Sequence, residues 1–359
     1  MNQVRTVMPI ARSTSPSPWH SQRPLVALAP MEAVTDSPYR RLVRSIAPKV
    51  ILYTEFAPAR GLLAGAKRVW DMVHFEELER PLVVQLYDNV PEALGEAVAA
   101  VRERYQPDGF DLNMGCPVRK VANRGAGCGM MATPDVAAES VRRMVEHADG
   151  IPVSIKTRLG IREKSEVVDV VNACIEAGAS QATIHARLKA DRPRHPADWP
   201  ALSAAATQID VPIMGNGDIW TVRDAQTMAA LDGVDGVMIA RGGIGNPWLL
   251  KRTWQALAGE TVDPLPDREE KARVAMEHLR ANVADKGERR GVLELRKVVR
   301  NYIKGHIDSR RTWMRIIEVE TMDETLRALE AFAHGPEDDS QRENTETAQD
   351  LVNTEPIDI

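Results

Sequence analysis

Eight short apolar runs, each followed by a helical pattern, constrain this chain more than any other feature. They are LVALAP, KVILYTEF, PLVVQLY, GFDLNMG, PVSIKTR, ATIHAR, VPIMGNG and GVMIARG, all within residues 25–250. Each is apolar nearly throughout rather than alternating, the pattern of parallel strands covered on both faces. Their last strand residues fall near 29, 54, 85, 113, 156, 185, 215 and 240, so the unit recurs every 25 to 43 residues. Helical stretches such as VPEALGEAVAAVRERY and PDVAAESVRRMVEHA fill the intervals. A strand and a helix in about 30 residues, eight times over, predicts an α/β chain folded as a (β/α)8 TIM barrel of the usual ~250-residue size, here residues 25–262. A doubly wound open sheet is the competing architecture, and eight nearly regular units weigh against it.

After DPLPD at 263–267 the strand pattern stops. Only helical periodicity follows, which predicts a small helical domain over 268–332. Leu295, Val298, Val299, Tyr302 and Ile303 make its apolar stripe, while Arg296, Lys297, Arg300 and Lys304 fall off it. From Lys271 to Ile316 thirteen Lys/Arg stand against five Asp/Glu, a net of +8 in a chain whose overall charge is −5. A compact basic block therefore sits on an otherwise acidic protein. The ends differ in character. Residues 1–24 hold three Arg, no acid and four Pro, a flexible leader by composition; residues 335–359 hold eight acids against Arg342 and read as an acidic disordered tail.

Composition excludes several classes. An apolar fraction of 43% supports a core, and three cysteines rule out a disulfide scaffold and suggest no metal site. No apolar run approaches the roughly 18 residues of a membrane span, and the N-terminus lacks the apolar segment of a secretory signal. We expect a cytoplasmic monomer without metal.

In a barrel the chemistry belongs at the C-terminal strand ends. Here six of the eight are polar: Gln85, Asn113, Lys156, His185, Asn216-Gly217-Asp218 and Arg241. Singly, a strand-terminal Asn or Asp is most simply a loop cap, and His185 a hydrogen-bonded structural histidine. Lys156 is harder to dismiss, because VSIK sets an ammonium at the edge of a buried sheet and calls for an anionic or electron-rich partner. Together they describe one polar pocket. The loops GNGDI and ARGGIGNP follow strands seven and eight, where barrels hold phosphate on backbone N–H groups. No GxGxxG opens a helix after the first strand, so a Rossmann site is not indicated.

Cys116 lies just past Asn113 on the loop leaving strand four. No histidine in that loop could make it a thiolate, and an ordinary thiol is mostly protonated at neutral pH, which suits a proton donor. Cys128 could be a second reactive thiol or simple packing. Cys174, inside a helical pattern, belongs to the core.

The segments APMEAVTDSPYRR, TEF, VVQLY, DLNMGCPVRKV…GAGCGMM, IKTRLG, TIHAR…PADW, NGDI and ARGGIGNPWL match, in order and spacing, those of the tRNA-dihydrouridine synthases of bacterial type. Over roughly residues 25–310 the chain resembles that family. The resemblance implies an FMN-containing barrel followed by a tRNA-binding helical domain. It also implies an oxidoreductase that uses NADPH or NADH to reduce the C5=C6 bond of particular uridines in tRNA. It makes Cys116 the proton donor to C5 and matches Pro30, Met31, Glu32, Gln85, Lys156 and His185 to flavin contacts. Asn216, Gly217, Asp218, Ala240 and Arg241 match the phosphate end, and Asn113 lies near both flavin and uracil. The basic block, with Arg296, Lys297, Arg300 and Lys304, is then the tRNA contact. Ala240, Ala186 and Glu32-Ala33 depart from the family's commoner residues. Two other functions fit parts of the pattern: an FMN barrel reducing a free pyrimidine, and a barrel-derived RNA-binding protein without catalysis. The first leaves the basic block without a task, and the second leaves Lys156, His185 and Cys116 without one.

Overall fold

The computed structural model describes residues 17–21, 23–192 and 194–335. Each of the eight apolar runs is a strand: β1 (Leu25–Leu28), β2 (Leu52–Pro58), β3 (Leu82–Tyr87), β4 (Gly109–Met114), β5 (Val153–Gly160), β6 (Ala182–Leu188), β7 (Ile213–Asn216) and β8 (Gly236–Ile239). All pair in parallel in the order β1-β8-β7-β6-β5-β4-β3-β2. A bridge from Ala27 to Ile51 closes the ring. There Leu28 N–H donates to the Ile51 carbonyl and Ile51 N–H to the Val26 carbonyl, both at 2.9 Å. The chain is the TIM barrel, not the open sheet.

Alternation along each strand divides the core in two. Val26, Leu28, Val84, Leu86, Leu112, Ile155, Ile184, Val237 and Ile239 point outward into the large cluster under the helices. Leu25, Ala27, Ala29, Ile51, Tyr53, Val83, Met214 and Met238 point inward and pack with Trp19 in a second cluster. Trp19 comes from the span expected to be a flexible leader. Pro18–Ser21 instead form a helical turn, and Trp19 is fully buried, donating to the Tyr53 hydroxyl at 3.0 Å. A Cβ on Gly109 would sit 2.7 Å from its ring, so the missing side chain makes the room. Burying one indole outweighs the proline-rich composition around it. Residues 1–16 of the expected leader, and the acidic tail from 336 onward, lie outside the described residues.

Above this apolar layer the inward positions turn polar. The register sets Gln85 beside Asp111, Asp111 beside Ser154, Asn113 beside Lys156, Lys156 beside Thr183, and His185 beside Asn216. Paired residues on neighbouring strands face the same way, so these side chains share the barrel interior at one end.

Beyond the barrel come four helices, Arg268–Lys286, Glu288–Ile303, Ser309–Glu318 and Met322–Ala333. The first two lie close, since a Cβ on Gly291 would meet the Val283 backbone at 2.7 Å. Leu295, Val298, Val299, Tyr302 and Ile303 are buried as their spacing predicts. These helices join the outer barrel core through Tyr39, His278 and Tyr302: the Tyr39 and His278 rings are 5.2 Å apart, and the Tyr302 hydroxyl is 3.0 Å from His278 Nδ1. Among the described residues no helix is long and apolar enough to cross a membrane, and no group of three His, Cys, Asp or Glu could hold a metal ion.

Candidate active site

Cys116 stands on a loop held from three sides. Asn113 Oδ1 accepts from the N–H of Gly115 at 3.1 Å and of Cys116 at 3.0 Å, closing a short Asx-type turn at the end of β4. Arg158 Nε donates to the Gly115 carbonyl at 2.8 Å, and Cys128 N–H donates to the Cys116 carbonyl at 3.0 Å. Cys116 is nearly buried, and burial pushes its thiol up from its ordinary value. It stays protonated at neutral pH. Cys128 is fully buried and its thiol is pushed up as well, while Cys174 in the outer core is pushed up to about 12, in both by burial.

Lys156, two strand positions below Arg158, is half-buried. Among the described residues its ammonium donates to Asn216 Oδ1 at 3.2 Å and meets no carboxylate in an ion pair. Burial, followed by the nearby Arg158 charge, lowers it to about 8. Asn216 is fixed for this contact by donating its Nδ2 to the Met238 carbonyl at 2.8 Å. His185 is driven well below its ordinary value by burial and by Arg158, Lys156, Arg187 and Arg241. The Arg187 guanidinium lies 3.1 Å from its Nε2. A guanidinium can only donate, so Nε2 is the acceptor and the neutral ring carries its proton on Nδ1.

A Cβ on Gly217 would fall 3.0 Å from the His185 ring, and its φ of +121° suits only glycine. Asp218 accepts from Arg187 Nη2 at 2.6 Å on both oxygens and from Arg241 Nη2 at 3.1 Å. Ala197 N–H adds a fourth donation at 2.8 Å. Asp218 thus aligns two arginines. Arg241 also lies over the Trp220 ring at 4.9 Å. A Cβ on Gly242 would come within 2.3 Å of the Ile219 carbonyl, so the Ala240-Arg241-Gly242 turn lies directly on the loop after β7.

The loop after β1 completes the rim. Met31 is buried, and its N–H donates to Thr35 Oγ1 at 2.9 Å; Pro30 is half-buried and Glu32 exposed. Ala33 adopts a left-handed φ of 57°, and its N–H donates to Glu55 Oε1 at 2.6 Å. Burial raises the Glu55 carboxyl.

Gln85, Asn113, Lys156, His185, Asn216, Gly217, Asp218 and Arg241 are therefore brought to one barrel mouth beside Cys116. Arg296, Lys297, Arg300 and Lys304 lie instead on the second C-terminal helix and its end. Lys297 is exposed, Arg296 donates to the Val319 carbonyl, and exposed Arg300 covers the Trp313 ring at 5.3 Å. The same helix abuts the loop after β8, where a Cβ on Gly245 would meet Asn301 at 2.9 Å. Four site residues escaped the sequence reading: Glu55, Asp111, Arg158 and Arg187. Three of them stand two residues from a predicted one (Asn113, Lys156, His185). Strand alternation points such neighbours into the same interior, and that rule would have found them.

A sequence profile described as Dihydrouridine synthase matches residues 27–335. The chain belongs to the dihydrouridine synthase family. The profile takes in seven strands and the second half of β1, every strand-end residue above, and all four C-terminal helices. The chain is 33% identical over 281 residues to a protein of Synechocystis sp. named probable tRNA-dihydrouridine synthase 1, covering 78% of each. It is 32% identical over 307 residues to a probable tRNA-dihydrouridine synthase of Aquifex aeolicus, covering 85% of this chain and 95% of that one. A protein of the same name from Rhizobium leguminosarum is 34% identical over 285 residues, covering 79% of this chain and 86% of the other.

Proposed function

We propose that this dihydrouridine synthase reduces the C5=C6 bond of particular uridines in tRNA, acting as a cytoplasmic monomer with FMN and with NADPH or NADH as reductant. The observation that carries this reading is a nearly buried, protonated thiol whose loop is anchored beside a cluster of polar and cationic side chains at one barrel mouth. Among the described residues Lys156 makes no ion pair with a carboxylate, His185 is neutral, and Gly217 packs its backbone directly against the His185 ring. Such donors suit an electron-rich ring carrying an anionic tail.

Gln85, Lys156 and His185, with the Pro30-Met31-Glu32 segment, would hold the flavin ring. Asn216, Gly217, Ala240 and Arg241 would hold its phosphate end, with Asp218 acting through Arg241. Held there, the flavin would supply hydride chemistry at C6 of uracil, with the nicotinamide as the source of its electrons. Cys116 then has one task, to hold a proton for C5, and burial keeps that proton in place until negative charge develops on the base. Asn113 keeps one amide proton beyond the bond it gives Gln85, and would offer it as a donor to the flavin or the uracil. A uracil reaching this depth has to leave the tRNA stack. The basic helical block, through Arg296, Lys297, Arg300 and Lys304, would hold the folded RNA by its phosphates.

Cys116→Ala tests the reading. The variant should keep flavin and tRNA affinity and the rate of flavin reduction by NADPH, while dihydrouridine formation slows by about 10²–10⁴-fold, the usual worth of acid–base catalysis. Wild-type turnover of tRNA by this variant would remove Cys116 from the chemistry. Turnover of free uracil without tRNA would favour a pyrimidine reductase instead.

A further inference from the structure

We infer that Asp111 is a positioning residue for the Cys116 loop: its carboxylate dictates which way the Gln85 and Asn113 amides point, and these fix the peptide before Cys116. Asp111 is fully buried in the barrel interior, in register with Gln85 on β3 and Ser154 on β5. An ionised carboxylate only accepts hydrogen bonds. Its Oδ2 takes Gln85 Nε2 at 2.6 Å, and its Oδ1 takes the Ser154 hydroxyl at 2.5 Å. Gln85 must then turn Oε1 toward Asn113, whose Nδ2 donates at 2.8 Å. That leaves Asn113 Oδ1 to accept from Gly115 and Cys116 N–H.

Each step forces the next, because reversing either amide would set N–H against N–H. The last link is consequential. Asn113 holds the N–H and Arg158 the C=O of a single peptide unit, the one joining Gly115 to Cys116. With both ends clamped, the plane that sets the direction of the Cys116 side chain cannot rotate. Burial raises Asp111 to about 6, with Ser154, Gln85 and Lys156 opposing that rise, so it is ionised at pH 7. Among the described residues the titratable groups acting on it are Lys156, still charged at pH 7, and Tyr53, neutral there.

The inference rests on the proposed role of Cys116 for its functional meaning, but its test does not. Asn at position 111 has the same shape and offers both a donor and an acceptor, so the amide chain loses the charged acceptor that enforces its direction from the β4 interior and is held only by the loop amides themselves. In full-length Asp111→Asn, backbone hydrogen exchange at Gly115 and Cys116 should rise about tenfold, as for one lost hydrogen bond of about 1.4 kcal/mol. The kcat for tRNA should fall with KM unchanged. Ser154→Ala removes a donor but keeps the carboxylate, so both amides should stay protected. Folded Asp111→Asn with wild-type exchange at these amides would overturn the inference, as would equal loosening in Ser154→Ala. Should Asp111→Asn fail to fold, exchange in the wild type at pH 5 and pH 7, where Lys156 stays charged, corrected for intrinsic rates, puts the same question, since protonation gives Asp111 a donor. Unchanged protection there is equally fatal. A defect in exchange with normal Cys116→Ala turnover would instead keep the relay and discard the thiol's role.

Discussion

Lys156 should cost this protein stability at neutral pH, and removing its charge should show it. Its ammonium falls from an ordinary 10.5 to about 8 inside the barrel mouth, chiefly through burial and then through Arg158. The folded state thus binds this proton less tightly than the unfolded chain. Below pH 8 both states are charged and the folded one bears the whole penalty; between pH 8 and 10.5 the folded state sheds the proton and stability recovers. At about 1.36 kcal/mol per pH unit the ceiling is roughly 3 kcal/mol. Lys156 is half-buried, so solvent screens part of this, and Lys156→Met also strands Asn216 Oδ1, a loss of about 1 kcal/mol. The net expectation for flavin-free Lys156→Met is a gain on the order of 1 kcal/mol at pH 7. Urea denaturation of both proteins at pH 7, 8, 9 and 10 measures it. The gap should close as pH rises, because only the wild type recovers stability there. A variant less stable at pH 7, or a gap independent of pH, would mean that the ammonium is well solvated or paired in the folded protein.

Three further outcomes follow from other parts of the molecule. The purified protein should be yellow and release FMN, not FAD, and Arg241→Ala should weaken flavin retention by about 1.5–3 kcal/mol, read by fluorescence titration of released flavin. Replacing Lys297, Arg300 and Lys304 by Glu, and sparing Arg296 because it donates to the Val319 carbonyl, should weaken tRNA binding and flatten its salt dependence. Each lost phosphate contact should lower the log K against log [salt] slope by roughly 0.7–0.9; an unchanged slope would place the RNA elsewhere. Trp19→Ala should cost about 3–5 kcal/mol in thermal or urea unfolding, since it empties the floor of the barrel and leaves the Tyr53 hydroxyl without its donor.

Sequence periodicity by itself determined the barrel. Runs such as LVALAP and PLVVQLY bury on both faces only in a parallel sheet under helices, and eight of them leave few arrangements. It also determined which positions end each strand, and hence Gln85, Asn113, Lys156, His185, Asn216 and Arg241 as one polar rim. The loop holding Cys116 was legible for the same reason. What tertiary structure alone decided is who touches whom across strands. Register is a relation between distant segments, so nothing local to β4 says that Asp111 faces Gln85 and Ser154. Nor does the sequence near His185 say that Arg187 reaches Asp218 thirty-one residues away, or that burial among four cationic side chains leaves the imidazole neutral. Trp19 shows the limit most plainly. Its neighbours have the composition of a flexible leader, yet the indole is buried because Gly109, ninety residues later, lacks a side chain under the barrel. Composition reports the average fate of a segment, while burial depends on the one cavity that the rest of the chain has built to receive it.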